Sequence, residues 1–155
     1  MSRRGVETGV VAGGLFAVLG VLAWATGQPF IFPSLGPSAF VLAFETQREK
    51  VRPRRVIGGH LIGALAGFVA YSVLASGVSL TAVPPALSIE GLRLVLSGIV
   101  SVAVTGWGML ATDTVHPPAC ATTLIVSLGL LSSVAEVGVI VVSVGVLVAV
   151  SELLR

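Results

Sequence analysis

Hydrophobic residues run along this chain in long blocks. They show neither the alternation of a half-buried strand nor the half-polar rhythm of a soluble helix. From Thr8 to Phe44 there are 37 consecutive residues without Asp, Glu, Lys or Arg. A polar stretch follows at 45–55, carrying Arg48, Lys50, Arg52, Arg54 and Arg55. Further apolar blocks lie on either side of a low-charge loop at 78–91 that contains Pro84 and Pro85, and another runs to the end of the chain. About 20 apolar residues of helix cross a bilayer. The pattern predicts spans at 5–26, 56–77, 92–112 and 134–154, with Glu7 and Trp24 near opposite surfaces of the first.

Two apolar segments do not fit this description because prolines interrupt them. One reads Pro33-Ser34-Leu35-Gly36-Pro37-Ser38-Ala39, the other His116-Pro117-Pro118-Ala119-Cys120. Proline has no N–H and holds φ near −65°, so it suits a helix's first turn and disfavours helix just before it. Short helices are therefore expected from Pro37 to about Phe44 and from Pro118 to about Leu131, each preceded by extended chain. Neither helix alone covers a ~30 Å hydrocarbon core. Extended chain plus short helix either crosses or re-enters.

The order is then span, broken segment, span, twice over. The first triplet (5–77) begins on the basic side and the second (91–154) on the opposite side. The expected fold is all-α: a polytopic membrane helix bundle of two inverted three-segment repeats, each with a half-helix middle segment, forming one domain over 1–155. Gly5, Gly9 and Gly13, and again Gly59, Gly63 and Gly67, fall every four residues and offer smooth faces for helix packing.

Composition supports the membrane assignment. Of 155 residues 55% are hydrophobic and 10% charged, against about 25% charged in soluble domains, and the mean hydropathy is +1.04. Little is left for a soluble catalytic domain. The five basic residues place the 45–55 loop in the cytoplasm, with Arg3, Arg4 and Arg155 on the same side of the plasma membrane. Ser2-Arg3-Arg4 before an apolar run looks like a signal peptide, but the uncharged run is too long for one. Cys120 is the only cysteine, which excludes an intrachain disulfide and a thiolate metal cage.

The His116-Pro117-Pro118 motif, the Pro33–Ala39 block and the Arg52-Pro53…Gly58-Gly59-His60 stretch occur in this order and together resemble the HPP family of integral membrane proteins. The resemblance extends over most of the chain. It implies a membrane helix bundle, usually counted as four spans, with a transport role; plant relatives look like chloroplast nitrite transporters.

Two half helices that run in opposite directions from mid-membrane would aim their free amide groups at one region. Each helix N-terminus acts roughly as a +0.5 charge and is a natural anion site. A small oxyanion such as nitrite or nitrate would be held by the amides of Ser38, Ala39, Ala119 and Cys120 and the hydroxyls of Ser34, Ser38 and Thr122. Gly36, Pro37, Pro117 and Pro118 shape the two turns. In the alternative, the prolines only make packing bends and the amides bond neighbouring carbonyls.

His116 suits three roles: donor to the anion, titrating group that couples proton movement, or cap of the broken backbone. Asp113 is a candidate for proton coupling or gating, paired with His116 or with an arginine of the basic loop. His60 reads as an interface residue near the cytoplasmic end. Histidine and acid spacing matches neither a zinc signature nor a nucleophile triad, so no enzyme activity, metal or cofactor is expected. The basic loop fixes topology and meets anionic lipid rather than nucleic acid. The expected function is a transporter or channel for a nitrite-like anion, working as a homo-oligomer. The competing one is a non-transporting membrane assembly or sensory subunit.

Overall fold

Proline, serine and glycine set most of the helix boundaries in the computed structural model, which describes residues 3–45 and 52–154. Helix α1 covers Arg3–Thr26 and α2 covers Leu35–Glu45. Helix α3 covers Pro53–Ala70 and continues in a wider π-helical turn, Tyr71–Ala75. It starts with Pro53 in the first turn, after Arg52 in extended conformation, where the missing N–H is not needed. Helix α4, Ile89–Ala111, is capped by Ser88, whose hydroxyl accepts from the Gly91 amide at 3.1 Å. Helix α5 covers Ala119–Ser127 and α6 covers Val134–Leu153. The latter opens with a reciprocal capping box: the Glu136 amide donates to Ser133 Oγ and the Ser133 amide to Glu136 Oε2. Every regular element among the described residues is helical. The greater part of the 45–55 loop expected to set orientation, with Arg48 and Lys50, lies outside the described residues, as does Arg155.

Among the described residues, four helices are long and apolar enough to cross a membrane: Arg3–Thr26, Pro53–Ala75, Ile89–Ala111 and Val134–Leu153. With the long apolar helices go large apolar side chains that are exposed, including Val10, Val21, Trp24, Val73 and Trp107. Such a surface belongs against lipid. The shared core takes Leu15 and Leu19 from α1, Leu35, Ala39 and Leu42 from α2, and Val56 and Ala64 from α3. Phe32 before α2, Ile125 and Val126 from α5, and Ile140, Val144, Leu147 and Val148 from α6 also belong to it.

Contacts fix the relative directions of several segments. Gly108 of α4 faces Ile62 of α3, while the Arg93 guanidinium donates to the carbonyls of Leu74 and Ser76. Helix α4 is therefore antiparallel to α3. Helix α5 is parallel to α3: a Cβ on Gly59 would sit 3.4 Å from Ala119 Cβ, one on Gly63 would sit 2.7 Å from Ala119 O, and one on Gly67 would sit 2.7 Å from Thr123 O. The glycine ridge of α3 is the surface on which α5 lies. Between α4 and α6 the chain thus runs the height of α3, from Asp113 beside Arg55 to the Leu128 carbonyl, which accepts from the Leu80 amide. Helix α2 returns along α1, so that the Arg4 guanidinium stands over the Phe44 ring, 5.3 Å from its centroid.

Two expectations change. Helix α5 ends at Ser127, four residues before Leu131, because Gly129 turns the chain with φ +73°. A Cβ there would stand 2.5 Å from Val78 O, so glycine is required on both counts. In the glycine ridge of α1, the Cβ positions at Gly9 and Gly13 are open to 4 Å among the described residues. The buried face of α1 carries Thr8, Leu15 and Leu19 instead.

Candidate functional site

The start of α2 and the start of α5 meet beside His60 on α3. Gly59 lets this happen, since a Cβ there would lie 2.9 Å from His116 Cβ and 3.1 Å from Thr114 O. Gly58 does the same for the Thr114 side chain, whose Cγ2 would be 2.6 Å away. The segment before α5 is therefore laid directly on the α3 backbone. At 1.5 Å per residue, His60 lies about 10 Å along α3 from Pro53.

Five polar side chains join there in one chain of hydrogen bonds. Ser34 Oγ and Thr122 Oγ1 are 2.7 Å apart, and Thr122 Oγ1 is 2.7 Å from His60 Nδ1. His60 Nε2 is 2.8 Å from Ser38 Oγ, which is also 2.9 Å from His116 Nε2. Ser38 Oγ donates further to the Ser34 carbonyl at 3.2 Å. The two imidazoles stand 5.1 Å apart between centroids, tilted by 56°. Ser34, Ser38 and Thr122 are 0% exposed, His60 1% and His116 3%. A polar cluster this deep persists only when its members satisfy one another. Behind it Thr123 Oγ1 bonds Ala119 O and Thr105 Oγ1, and Ser97 Oγ donates to the Ser127 carbonyl at the other end of α5.

A family model described as HPP, transmembrane region, matches residues 4–154. The chain belongs to the HPP family. It is an integral membrane protein of that family, and the motif that names the family supplies His116 and the first turn of α5. No match to a curated protein or to a solved structure accompanies this one.

Of the residues singled out from the HPP sequence pattern, Ser34, Ser38, His116 and Thr122 come together through side chains. Ala39 and Ala119 are buried beside them, Gly36, Pro118 and Cys120 are half-buried, and Pro37 and Pro117 are exposed. The amides of Ala119 and Cys120, expected to be free, donate to the carbonyls of His116 and Pro117 at 2.9 and 3.0 Å, and that of Ala121 donates to the Pro118 carbonyl at 3.1 Å. A tight opening turn satisfies them, as helix ends often do. Asp113 lies away from the cluster. It is exposed, has φ +52°, and pairs with Arg55 at 3.0 Å and Arg52 at 4.0 Å, while Arg54 donates to the Thr112 carbonyl. Its partners are arginines, not His116.

His60 was misplaced by sequence reasoning. It is no interface residue but the centre of the cluster, covered by α2 and α5. The usable signal was its neighbourhood: a histidine between Gly59 and Gly63 sits on the face where another segment must approach. Among the described residues, no three His, Cys, Asp or Glu side chains gather as a metal-ligand set. An apolar groove of about 630 Å³ lies elsewhere, between α3 and α4, lined by residues such as Leu65, Val69, Val104 and Trp107.

Proposed function

We propose that this protein is a transporter or channel for a small inorganic anion, nitrite- or nitrate-like, bound where the starts of α2 and α5 meet. One observation carries the reading: Ser34 and Ser38 from the first proline break join His116 and Thr122 from the second, around His60, inside a membrane bundle. Polar and ionisable groups at such depth are expensive and mark transport pathways by default.

Helices α1–α3 and α4–α6 form two inverted repeats in this reading, with α2 and α5 as half-helix middle segments. Their opposite directions along α3 support it. Two helix N-termini then place partial positive charge at one point without a fixed cation. Because the amides of Ala119, Cys120 and Ala121 are already bonded, side-chain N–H groups make the direct contacts with the anion and the helix ends supply field. Rocking of one repeat against the other exposes the site alternately. Asp113, tied to Arg55 where α3 begins, serves as a gate at the basic mouth. The basic end faces the cytoplasm from the plasma membrane and meets anionic lipid. The open Gly9 and Gly13 face of α1 serves homo-oligomer contact. No enzyme activity, cofactor or nucleic-acid partner enters this reading.

Purified protein in proteoliposomes tests it by nitrite and nitrate uptake; intact protein that moves neither sinks the substrate assignment. A second reading, a non-transporting membrane assembly or sensory subunit, is favoured by the closed bonding of the Ala119–Ala121 amides. It predicts no stabilisation by any small anion in a thermal-shift series, whereas the transporter reading predicts stabilisation by nitrite or nitrate.

A further inference from the structure

Ser38 has one hydroxyl proton and three polar neighbours, and the protons can be assigned. The Ser34 carbonyl only accepts, so the bond to it uses the Ser38 proton. Both remaining neighbours, His60 Nε2 and His116 Nε2, must then donate to Ser38 Oγ. With Nε2 protonated, neutral His60 offers a lone pair on Nδ1, which accepts from Thr122, and Thr122 accepts in turn from Ser34. Every bond of the cluster is made once in one direction, and no atom donates twice. Two imidazole N–H groups therefore converge on a single oxygen at 2.8 and 2.9 Å.

We infer that this oxygen is a stand-in: Ser38 Oγ occupies the place of an oxygen of the transported anion, and His60 with His116 forms a two-donor oxyanion pocket. The inference rests on the anion-transport reading and makes His60 a ligand-binding residue. An oxyanion oxygen carries negative charge and accepts both N–H groups as charge-assisted bonds, which are shorter and stronger than bonds to a neutral hydroxyl. The serine hydroxyl sits on one rotatable bond, and rotation to another staggered well vacates the position. Spacings of 2.8 and 2.9 Å match N–H···O bonds and are short for the larger halides, which points to oxyanions. Thr122 does not bind in this scheme; it positions His60 by holding the proton on Nε2.

Several other charged groups on the packed elements have partners elsewhere. Arg54, Arg55 and Asp113 bond one another or the Thr112 carbonyl at the basic end. Arg93 bonds the far end of α3, and Glu136 caps α6. Cys120, four residues after His116, is half-buried on α5.

The test uses the full chain in lipid nanodiscs with nitrite, nitrate and chloride, read by thermal shift and titration calorimetry. In Ser38→Ala the two N–H groups lose their internal acceptor. Nitrite should bind this variant more tightly than wild type, by up to roughly tenfold, and stabilise it correspondingly more, because a donor left unmatched is costly. His60→Ala and His116→Ala should each weaken binding by roughly tenfold or more. If Ser38→Ala weakens nitrite binding as much as His60→Ala does, Ser38 is a ligand and the inference falls while the transport reading stands. If folded wild type and Ser38→Ala bind no anion, both fall. Chloride binding as tight as nitrite overturns the oxyanion assignment. Nitrogen-15 NMR of labelled histidines in anion-free protein gives a readout that needs no variant. Both rings should carry the proton on Nε2, and a proton on Nδ1 of His60 overturns the inference.

Discussion

Ser34 and Thr122 lie 88 residues apart and share a buried 2.7 Å hydrogen bond between their hydroxyls. Each stands beside a proline-broken turn, Ser34 just before α2 and Thr122 in the first turns of α5. The bond ties the two interrupted segments to each other where both begin, and through His60 to the uninterrupted α3. Removing the Thr122 hydroxyl strands both the Ser34 hydroxyl and His60 Nδ1, while removing the Ser34 hydroxyl takes from Thr122 one of its two buried bonds. Ser34→Ala and Thr122→Val should each cost about 1–2 kcal/mol. The double variant should cost less than the sum, by about 0.5 kcal/mol or more. A double-mutant cycle from denaturant titrations in detergent measures this, and strict additivity would mean that the two breaks are not coupled.

Gly63 and Gly13 have opposite surroundings although both belong to four-residue glycine ridges. A Cβ on Gly63 would lie 2.7 Å from Ala119 O and 2.8 Å from Thr123 Oγ1, while none of the surroundings of Gly13 comes within 4 Å. Gly63→Ala should therefore destabilise by about 1–3 kcal/mol through overpacking. It should also disturb the cluster, because Ala119 leads α5. Gly13→Ala should change stability by less than about 1 kcal/mol. Thermal unfolding of the two variants side by side checks the contrast. Gly13→Leu adds a test of association: a shift to monomer in light scattering supports α1 as the oligomer face.

The six segments and their order were legible because hydropathy and proline act locally. Pro53, Pro117 and Pro118 set helix starts without help from tertiary contacts, and Ser88 and Ser133 cap the helices that follow them. What could not be read depended on partners distant in sequence. The end of α5 is set by Gly129 packing under Val78, and nothing near Gly129 in sequence announces that. His60 looks like an interface residue until α2 and α5 are seen to cover it. The identical spacing of the two glycine ridges gave no hint that one is buried by α5 and the other left open. The site was half legible: both broken turns were named, but the amides of the second turned out to be bonded and side chains from both to carry the cluster.

Asp113 and Arg55 are joined at 3.0 Å, with side chains 64% and 43% exposed. Exposed pairs of this kind contribute about 0–1 kcal/mol, and asparagine tolerates the positive φ of Asp113 well. Asp113→Asn should change stability by less than about 1 kcal/mol. As a gate tie, its loss should leave nitrite flux intact or raise it by less than about tenfold. Liposome flux at matched protein density measures this. Abolished flux in a folded Asp113→Asn variant would instead make the carboxylate a proton carrier.

His116 separates transport from mere packing. Its Nε2 meets the same Ser38 oxygen as His60, yet its backbone also shapes the turn, since the His116 carbonyl accepts from the Ala119 amide. His116→Ala keeps the carbonyl and removes only the ring. Ser38 retains two partners, so the stability loss should stay near 1–2 kcal/mol, and the protein should remain folded at working temperature. If the ring holds the anion in transit, nitrite flux should fall by about tenfold or more, the loss of one charge-assisted bond. Flux and thermal unfolding are measured on the same preparation. A folded His116→Ala variant that transports nitrite as wild type does removes His116 from the mechanism and leaves it a packing residue of the broken turn.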